Sequence, residues 1–209
     1  MLLIFGKGGQ LAQCFQHGWS NTTPLTLLSK DECDITNRNA VKSALETHNP
    51  SVVINCAAYT NVKEAENDSS CYTINAEGVK IIAEETSKQQ IPLIQISTDY
   101  VFDGLARQPY KTSDRPAPIN EYGKSKLMGE KYFLDHAYAG AIIRISHLSS
   151  QFGNNLVNTF LKLFSSYESV SIVQDQEICM TYGHDVVSFV KALIQSPQFK
   201  KQKTIYHLG

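Results

Sequence analysis

Alternation is the feature that most limits what this chain can become. Leu2-Leu-Ile-Phe5, Leu25-Thr-Leu-Leu28, Ser51-Val-Val-Ile-Asn55, Pro92-Leu-Ile-Gln-Ile96 and Ala141-Ile-Ile-Arg144 are short apolar runs, and the chain between each pair is long enough for a helix. Short apolar strands alternating with helical stretches predict βαβ units and a doubly wound parallel sheet with helices on both faces. Val170-Ser-Ile-Val173 and Thr204-Ile-Tyr-His207 are later strand candidates. Between the strands, Asp34 or Thr36 is expected to cap a helix from about Asn37 to Thr47, ended by Asn49-Pro50. Asn75 to Lys88 carries Val79, Ile82 and Ala83 on one face, with Glu84, Glu85 and Lys88 toward solvent. Further helices are expected over Asn120–His136, after Gly153-Asn-Asn155, and from Asp185 through Ile194. Phe102 to Pro118, rich in Gly, Pro, Asp and Arg, reads as a long excursion off a strand end, the kind of loop that usually serves function.

Composition narrows the classes of partner. Lys plus Arg is 19 and Asp plus Glu is 20, a net charge of −1, which offers no footprint for a phosphate backbone, so nucleic acid is not an expected partner. Mean hydropathy is −0.23 and no apolar run approaches the roughly 20 residues of a membrane span. Met-Leu-Leu-Ile-Phe-Gly lacks the basic start of a signal peptide, so a cytoplasmic location is expected. Cys14, Cys33, Cys56, Cys71 and Cys179 form no C-x-x-C pair and the six His no ligand pattern, so buried or half-buried thiols and no metal are expected.

Gly6-Lys-Gly-Gly-Gln-Leu-Ala12 follows the first strand directly and opens a helix. Glycine allows the tight turn and the close approach of a pyrophosphate, and the helix N-terminus supplies N–H donors and partial positive charge. The same pattern elsewhere is a plain connector; its position at the head of the alternation is what points to a dinucleotide. An acid at the end of the second strand would accept the ribose 2′-hydroxyl of NAD. Here that strand ends Leu28-Ser29-Lys30, and a hydroxyl with a cation suits a 2′-phosphate, so NADPH is preferred. Asp31 and Glu32 follow closely and keep NADH open. Asp34 and Ile35 are expected near the adenine.

Tyr122-Gly-Lys-Ser-Lys126 puts a phenol and an ammonium one helical turn apart on one face. An ammonium beside a phenol favours the phenolate and lowers its pKa, which would make Tyr122 an acid for an oxygen whose carbon receives a hydride. Ser97-Thr98-Asp99-Tyr100 ends another strand, at the carboxyl edge where open α/β sheets bind ligands, and its hydroxyls can reach the same oxygen. Asn55-Cys-Ala-Ala-Tyr59 ends a third, with small residues on which a cofactor can lie.

Together these segments resemble the extended short-chain dehydrogenase/reductases, and within them the dTDP-4-dehydrorhamnose reductase family. The resemblance is carried by Phe5–Leu11, Asn55–Val62, Ser97–Gly104 and Asn120–Glu130, and is continued by Gly153-Asn-Asn155 and Val173-Gln-Asp-Gln176. It implies a Rossmann-type cofactor domain over 1–146 and a partial substrate lobe over 147–209, interleaved with the last strands. It implies cofactor contacts from Gly9, Gln10, Leu11, Asp34, Ile35, Ala57, Ala58 and Tyr59, and from Tyr122 and Lys126 at the nicotinamide ribose. Thr98, Tyr122 and Lys126 would be the catalytic set, and Thr98 and Asp99 would touch a nucleotide-sugar substrate. The implied reaction reduces the C4 keto group of a dTDP-4-keto-6-deoxyhexose with NADPH. Two departures stand out. Arg144-Ile-Ser-His147 replaces the usual Arg-Thr-Ser-Trp, so His147 takes the place of a Trp that packs on substrate, and Cys179-Met-Thr181 replaces a Pro-Thr pair. Family members also usually continue for tens of residues beyond the strand matching Thr204–His207, so the lobe is expected to be incomplete. A non-catalytic NADP-binding regulatory subunit and a nucleotide-sugar epimerase remain alternatives, and a homodimer is an open expectation.

Overall fold

The structure, a computed structural model, describes residues 1–19, 23–172, 174 and 177–209. Six strands form one parallel sheet: β1 (Leu2–Phe5), β2 (Leu25–Leu28), β3 (Val52–Asn55), β4 (Leu93–Thr98), β5 (Gly140–Ile145) and β8 (Lys203–Leu208), in the order β2-β1-β3-β4-β5-β8. Every strand-to-strand pairing is parallel. β1, β3, β4 and β5 are buried along their whole length, as runs of Val, Ile and Leu must be when helices cover both faces.

Period two then divides the side chains between two cores. Leu2 and Ile4 face α1 (Gln10–Gly18) and α7 (Gly183–Gln195), packing with Leu11, Phe15, Val186 and Val190. Leu3 and Phe5 face the opposite layer, with Val41 and Leu45 of α2 (Arg38–His48), Ile82 of α4 (Val79–Lys88) and Phe133 of α5 (Glu121–His136). The doubly wound sheet expected from the alternation is the one observed. β8 pairs with β5, so the main sheet continues past residue 146 into the last residues of the chain.

Several local expectations change. Asn37, and neither Asp34 nor Thr36, caps α2, its side chain accepting from the N–H groups of Asn39 and Ala40. Asp34 instead accepts from the N–H and hydroxyl of Thr36 at 2.9 and 2.8 Å. Glu85 is buried, because Arg38 from α2 and Lys88 one turn on both donate to it, at 2.6 and 2.7 Å. The helix expected from Asn75 begins earlier: α3 (Ser70–Tyr72) runs through a π turn (Thr73–Gly78) into α4. No strand forms over the described residues 170–172, and Val173 lies outside the described residues. Two short strands carry no apolar run and were not expected: β6 (His147–Ser149) and β7 (Met180–Tyr182) pair in parallel as a small second sheet. α6 (Leu156–Ser166) follows, capped by Asn155. Cys14, Cys33 and Cys71 are buried and Cys56 half-buried, as expected, while Cys179 is exposed. Among the described residues no helix is long and apolar enough to cross a membrane.

Candidate functional site

The order β2-β1-β3 makes β1 the point from which successive connections leave in opposite directions, and α/β sheets bind ligands in the crevice outside such a switch point. A cavity of about 910 Å³ opens there. Its floor is the glycine loop after β1. Gly6 has φ +97°, and a Cβ there would sit 2.6 Å from the Ala57 N, so only glycine lets the loop lie against the end of β3. The Gly6 and Lys7 N–H groups both donate to the Leu28 carbonyl, tying the loop to the end of β2. α1 then starts with no side-chain cap and no acid in its first turn, leaving its N-terminal N–H groups and dipole for an anion. Lys7, Lys30 and Lys126 line the same cavity.

β3 and β4 are locked together beneath it. Asn55 donates from Nδ2 to Gln95 Oε1 at 2.9 Å and accepts the Ala57 N–H at 3.1 Å, which sets the turn that brings Ala57 and Ala58 to the wall. The π turn presents Asn75, buried, whose side chain accepts the Tyr59 N–H at 2.9 Å and donates to the Tyr59 carbonyl and the Ser125 hydroxyl at 3.0 Å each. This residue positions both the end of β3 and α5, and its signal in the sequence is only an Asn in an otherwise amphipathic stretch.

Thr98 ends β4 and Tyr122 and Lys126 lie one turn apart on α5; all three line the cavity. The Thr98 hydroxyl donates to Asp99 Oδ1 at 3.0 Å, and the other Asp99 oxygen accepts from Ser146 at 2.6 Å. Lys126 is buried and donates to the Ile96 carbonyl at 2.7 Å. Burial pushes its ammonium down to about 8, a shift held back by the Glu130 carboxylate one turn further on. Glu130 is held by the Ser97 hydroxyl at 2.5 Å and by Arg144 at 2.9 and 2.6 Å, all of them buried. The expected lowering of the Tyr122 phenol does not occur here. Burial pushes it up to about 12, partly offset by the Thr98 hydroxyl, because the Lys126 ammonium is turned to a backbone carbonyl.

The structure brings most of the expected residues to one cavity: Gly6, Gly9, Gln10 and Leu11 on the loop, Lys30, Asp34 and Ile35 beyond β2, Ala57 and Ala58 after β3, and the Thr98, Tyr122, Lys126 set. Four others stand off its wall. Ser29 is occupied by Glu32, with its N–H donating to Oε2 at 2.8 Å and its hydroxyl accepting the Glu32 N–H at 3.3 Å. Tyr59 contributes backbone to the Asn75 clamp, and its phenol, pushed up to about 12 by burial and by Asp68, lies off the wall. Asp99 reaches the site through Thr98, and His147 stands on β6 next to Ser146, which does line the cavity. Ser146, Leu148, Gly153 and Asn154 were missed by sequence reasoning. They come from the C-terminal third, where Gln10 donates to the Leu148 carbonyl at 3.2 Å and so joins α1 to β6.

The family model for the RmlD substrate binding domain matches residues 1–209. The chain belongs to this family. It is 38% identical over 190 residues to a dTDP-4-dehydrorhamnose reductase of Aggregatibacter actinomycetemcomitans, covering 90% of this chain and 65% of that protein. A dTDP-4-dehydrorhamnose reductase of Sinorhizobium fredii is 32% identical over 212 residues, covering all of this chain and 72% of its own length. A crystal structure of dTDP-4-dehydrorhamnose reductase from Bacillus anthracis in complex with NADP superposes with a TM-score of 0.94 at 34% identity, over all of this chain and 73% of that one. The chain thus spans about 60 to 72% of the length of the curated relatives it matches.

Proposed function

We propose that this RmlD-family protein is an NADPH-dependent reductase of the C4 keto group of a nucleotide-activated 4-keto-6-deoxy sugar, with dTDP-4-dehydro-L-rhamnose as the leading substrate. The observation that carries this reading is the meeting of Thr98, Tyr122 and Lys126 in one cavity with an uncapped helix start behind a glycine loop. The residues fit the cofactor: the glycine loop and uncapped α1 would hold its pyrophosphate, Ala57 and Ala58 would lie beside it on the cavity wall, and Lys126 would hold its nicotinamide ribose. When bound, NADPH supplies a hydride to the carbonyl carbon.

The protein's own part is a proton and its control. The Tyr122 phenol, protonated at neutral pH, gives its proton to the sugar oxygen as negative charge develops there. Thr98 turns its hydroxyl from Asp99 to the same oxygen, so the developing charge meets two donors. Lys126, cationic below about pH 8, stabilises the phenolate left behind once its ammonium turns from the Ile96 carbonyl toward the phenol. Residues 1–146 form the cofactor half in this reading, and 147–209 contribute substrate contacts, with Ser146 and His147 at the seam. The cytoplasm is the proposed location and a homodimer the proposed assembly; light scattering reads the latter.

The test is NADPH consumption with dTDP-4-dehydro-L-rhamnose, with the product identified by NMR. Stoichiometric NADPH loss and a new C4 carbinol are expected. An inverted sugar centre without net NADPH loss would make the protein an epimerase, and tight NADPH binding without any conversion would leave a regulatory role.

A further inference from the structure

Gln95 interrupts the apolar run of β4 at a position that is 2% exposed, where an amide is costly unless it is hydrogen-bonded. Both ends of its side chain are used. Asn55, opposite it on β3 and also buried, accepts the Ala57 N–H at 3.1 Å. That contact fixes the Asn55 oxygen and leaves its amide nitrogen to donate to Gln95 Oε1 at 2.9 Å. Gln95 must then turn its own nitrogen the other way, and it donates to the Ile96 carbonyl at 2.7 Å. The Lys126 ammonium donates to the same carbonyl, also at 2.7 Å. One buried carbonyl thus holds two donors of different freedom. Gln95 is tied at its far end to Asn55, whereas Lys126 lines the cavity and has a phenol one helical turn away.

We propose that Gln95 is a positioning residue that releases Lys126: it keeps the Ile96 carbonyl bonded when the ammonium swings out to a bound cofactor and the phenol. Without it, the departing ammonium would leave a buried carbonyl with no side-chain donor, and that penalty would oppose every step that needs Lys126. With it, the carbonyl is a resting point that the ammonium leaves at little cost. The chain Ala57 N–H, Asn55, Gln95, Ile96 carbonyl therefore prepares Lys126 from the side of the sheet, and no member of it but Ala57 lies within one residue of the cofactor turn after β3. The proposal rests on the reading of Lys126 as the group that holds the nicotinamide ribose and steadies the phenolate.

Equilibrium binding of NADPH, without sugar substrate, tests it on the parent, Gln95→Met, Lys126→Met and the double variant. Met keeps the length of Gln and offers the Asn55 amide a weak acceptor, but it has no donor for Ile96. Gln95→Leu, made in the same two backgrounds, serves if the Met protein does not fold. Gln95→Met should weaken NADPH roughly five- to thirtyfold in the parent. In the Lys126→Met background the same substitution should change affinity by less than about twofold, because no ammonium has to leave the carbonyl. Equal weakening in both backgrounds would mean a general distortion of β3 and β4, and overturns the proposal. Parent-like binding in Gln95→Met overturns it too, because Lys126 then serves the cofactor without leaving Ile96. Parent-like binding in Lys126→Met overturns the reading of Lys126 itself, and the proposal with it.

Discussion

Lys126 shows at the level of one residue how activity and stability part. Its ammonium is buried between α5 and the sheet, and the folded chain holds it at about 8 against an ordinary 10.5. A pKa depressed on folding means that the folded state disfavours the charged form. The penalty is therefore complete below about pH 8, fades as pH rises from about 8 to 10.5, and is gone above that. At about 1.4 kcal/mol per unit the shift corresponds to roughly 3.5 kcal/mol at most. Lys126→Met removes the charge and keeps the volume, and the Ile96 carbonyl still accepts from Gln95 at 2.7 Å. Urea unfolding at neutral pH should show the variant more stable by about 1 to 3 kcal/mol, with the gain shrinking above about pH 8. Its turnover should be lost. A variant less stable than the parent at neutral pH would mean that the ammonium is better solvated than its burial implies.

At the level of elements, α5 carries two of the three proposed catalytic residues, and its position depends on small side chains. A Cβ at Gly129 would lie 2.1 Å from the Asn75 carbonyl of the π turn, and one at Gly123 2.2 Å from the Tyr100 carbonyl. Both neighbours are backbone and cannot swing aside. Gly129→Ala is expected to push α5 off the π turn, costing roughly 1 to 3 kcal/mol in denaturant unfolding and lowering kcat severalfold, because Tyr122 and Lys126 move with the helix. Unchanged stability and kcat together would show that the contact is slack. Elements of this kind were legible in part. The strands of the main sheet stood out because apolar runs of Val, Ile and Leu bounded by turns have few other uses, and Tyr122 to Lys126 because four residues is one helical turn. The π turn, the buried Glu85 and the short β6 and β7 were not legible. Each depends on a partner distant in sequence, such as Arg38 for Glu85 or Thr181 for the Ser146 backbone.

The whole molecule is a sheet whose strand order decides where chemistry can happen. Because β1 lies between β2 and β3, the glycine loop, the Ala57-Ala58 turn, Thr98 and α5 meet at one edge, and residues far apart in sequence become one wall. The sequence showed these segments singly and let the fold class imply their meeting. It could not show that Lys126 turns to Ile96, that Glu32 claims both Ser29 and Lys7, or that Gln10 reaches β6. Those are rotamer and packing choices, settled only when both partners are in place. The central claim is that this edge reduces a carbonyl with Tyr122 as the proton donor. The direct measurement is the rate of NADPH consumption with dTDP-4-dehydro-L-rhamnose for the parent and for Tyr122→Phe, with NADPH affinity measured on both. A fall of roughly 10²- to 10⁴-fold in kcat with NADPH binding intact is the expected result. Full turnover in Tyr122→Phe would contradict it.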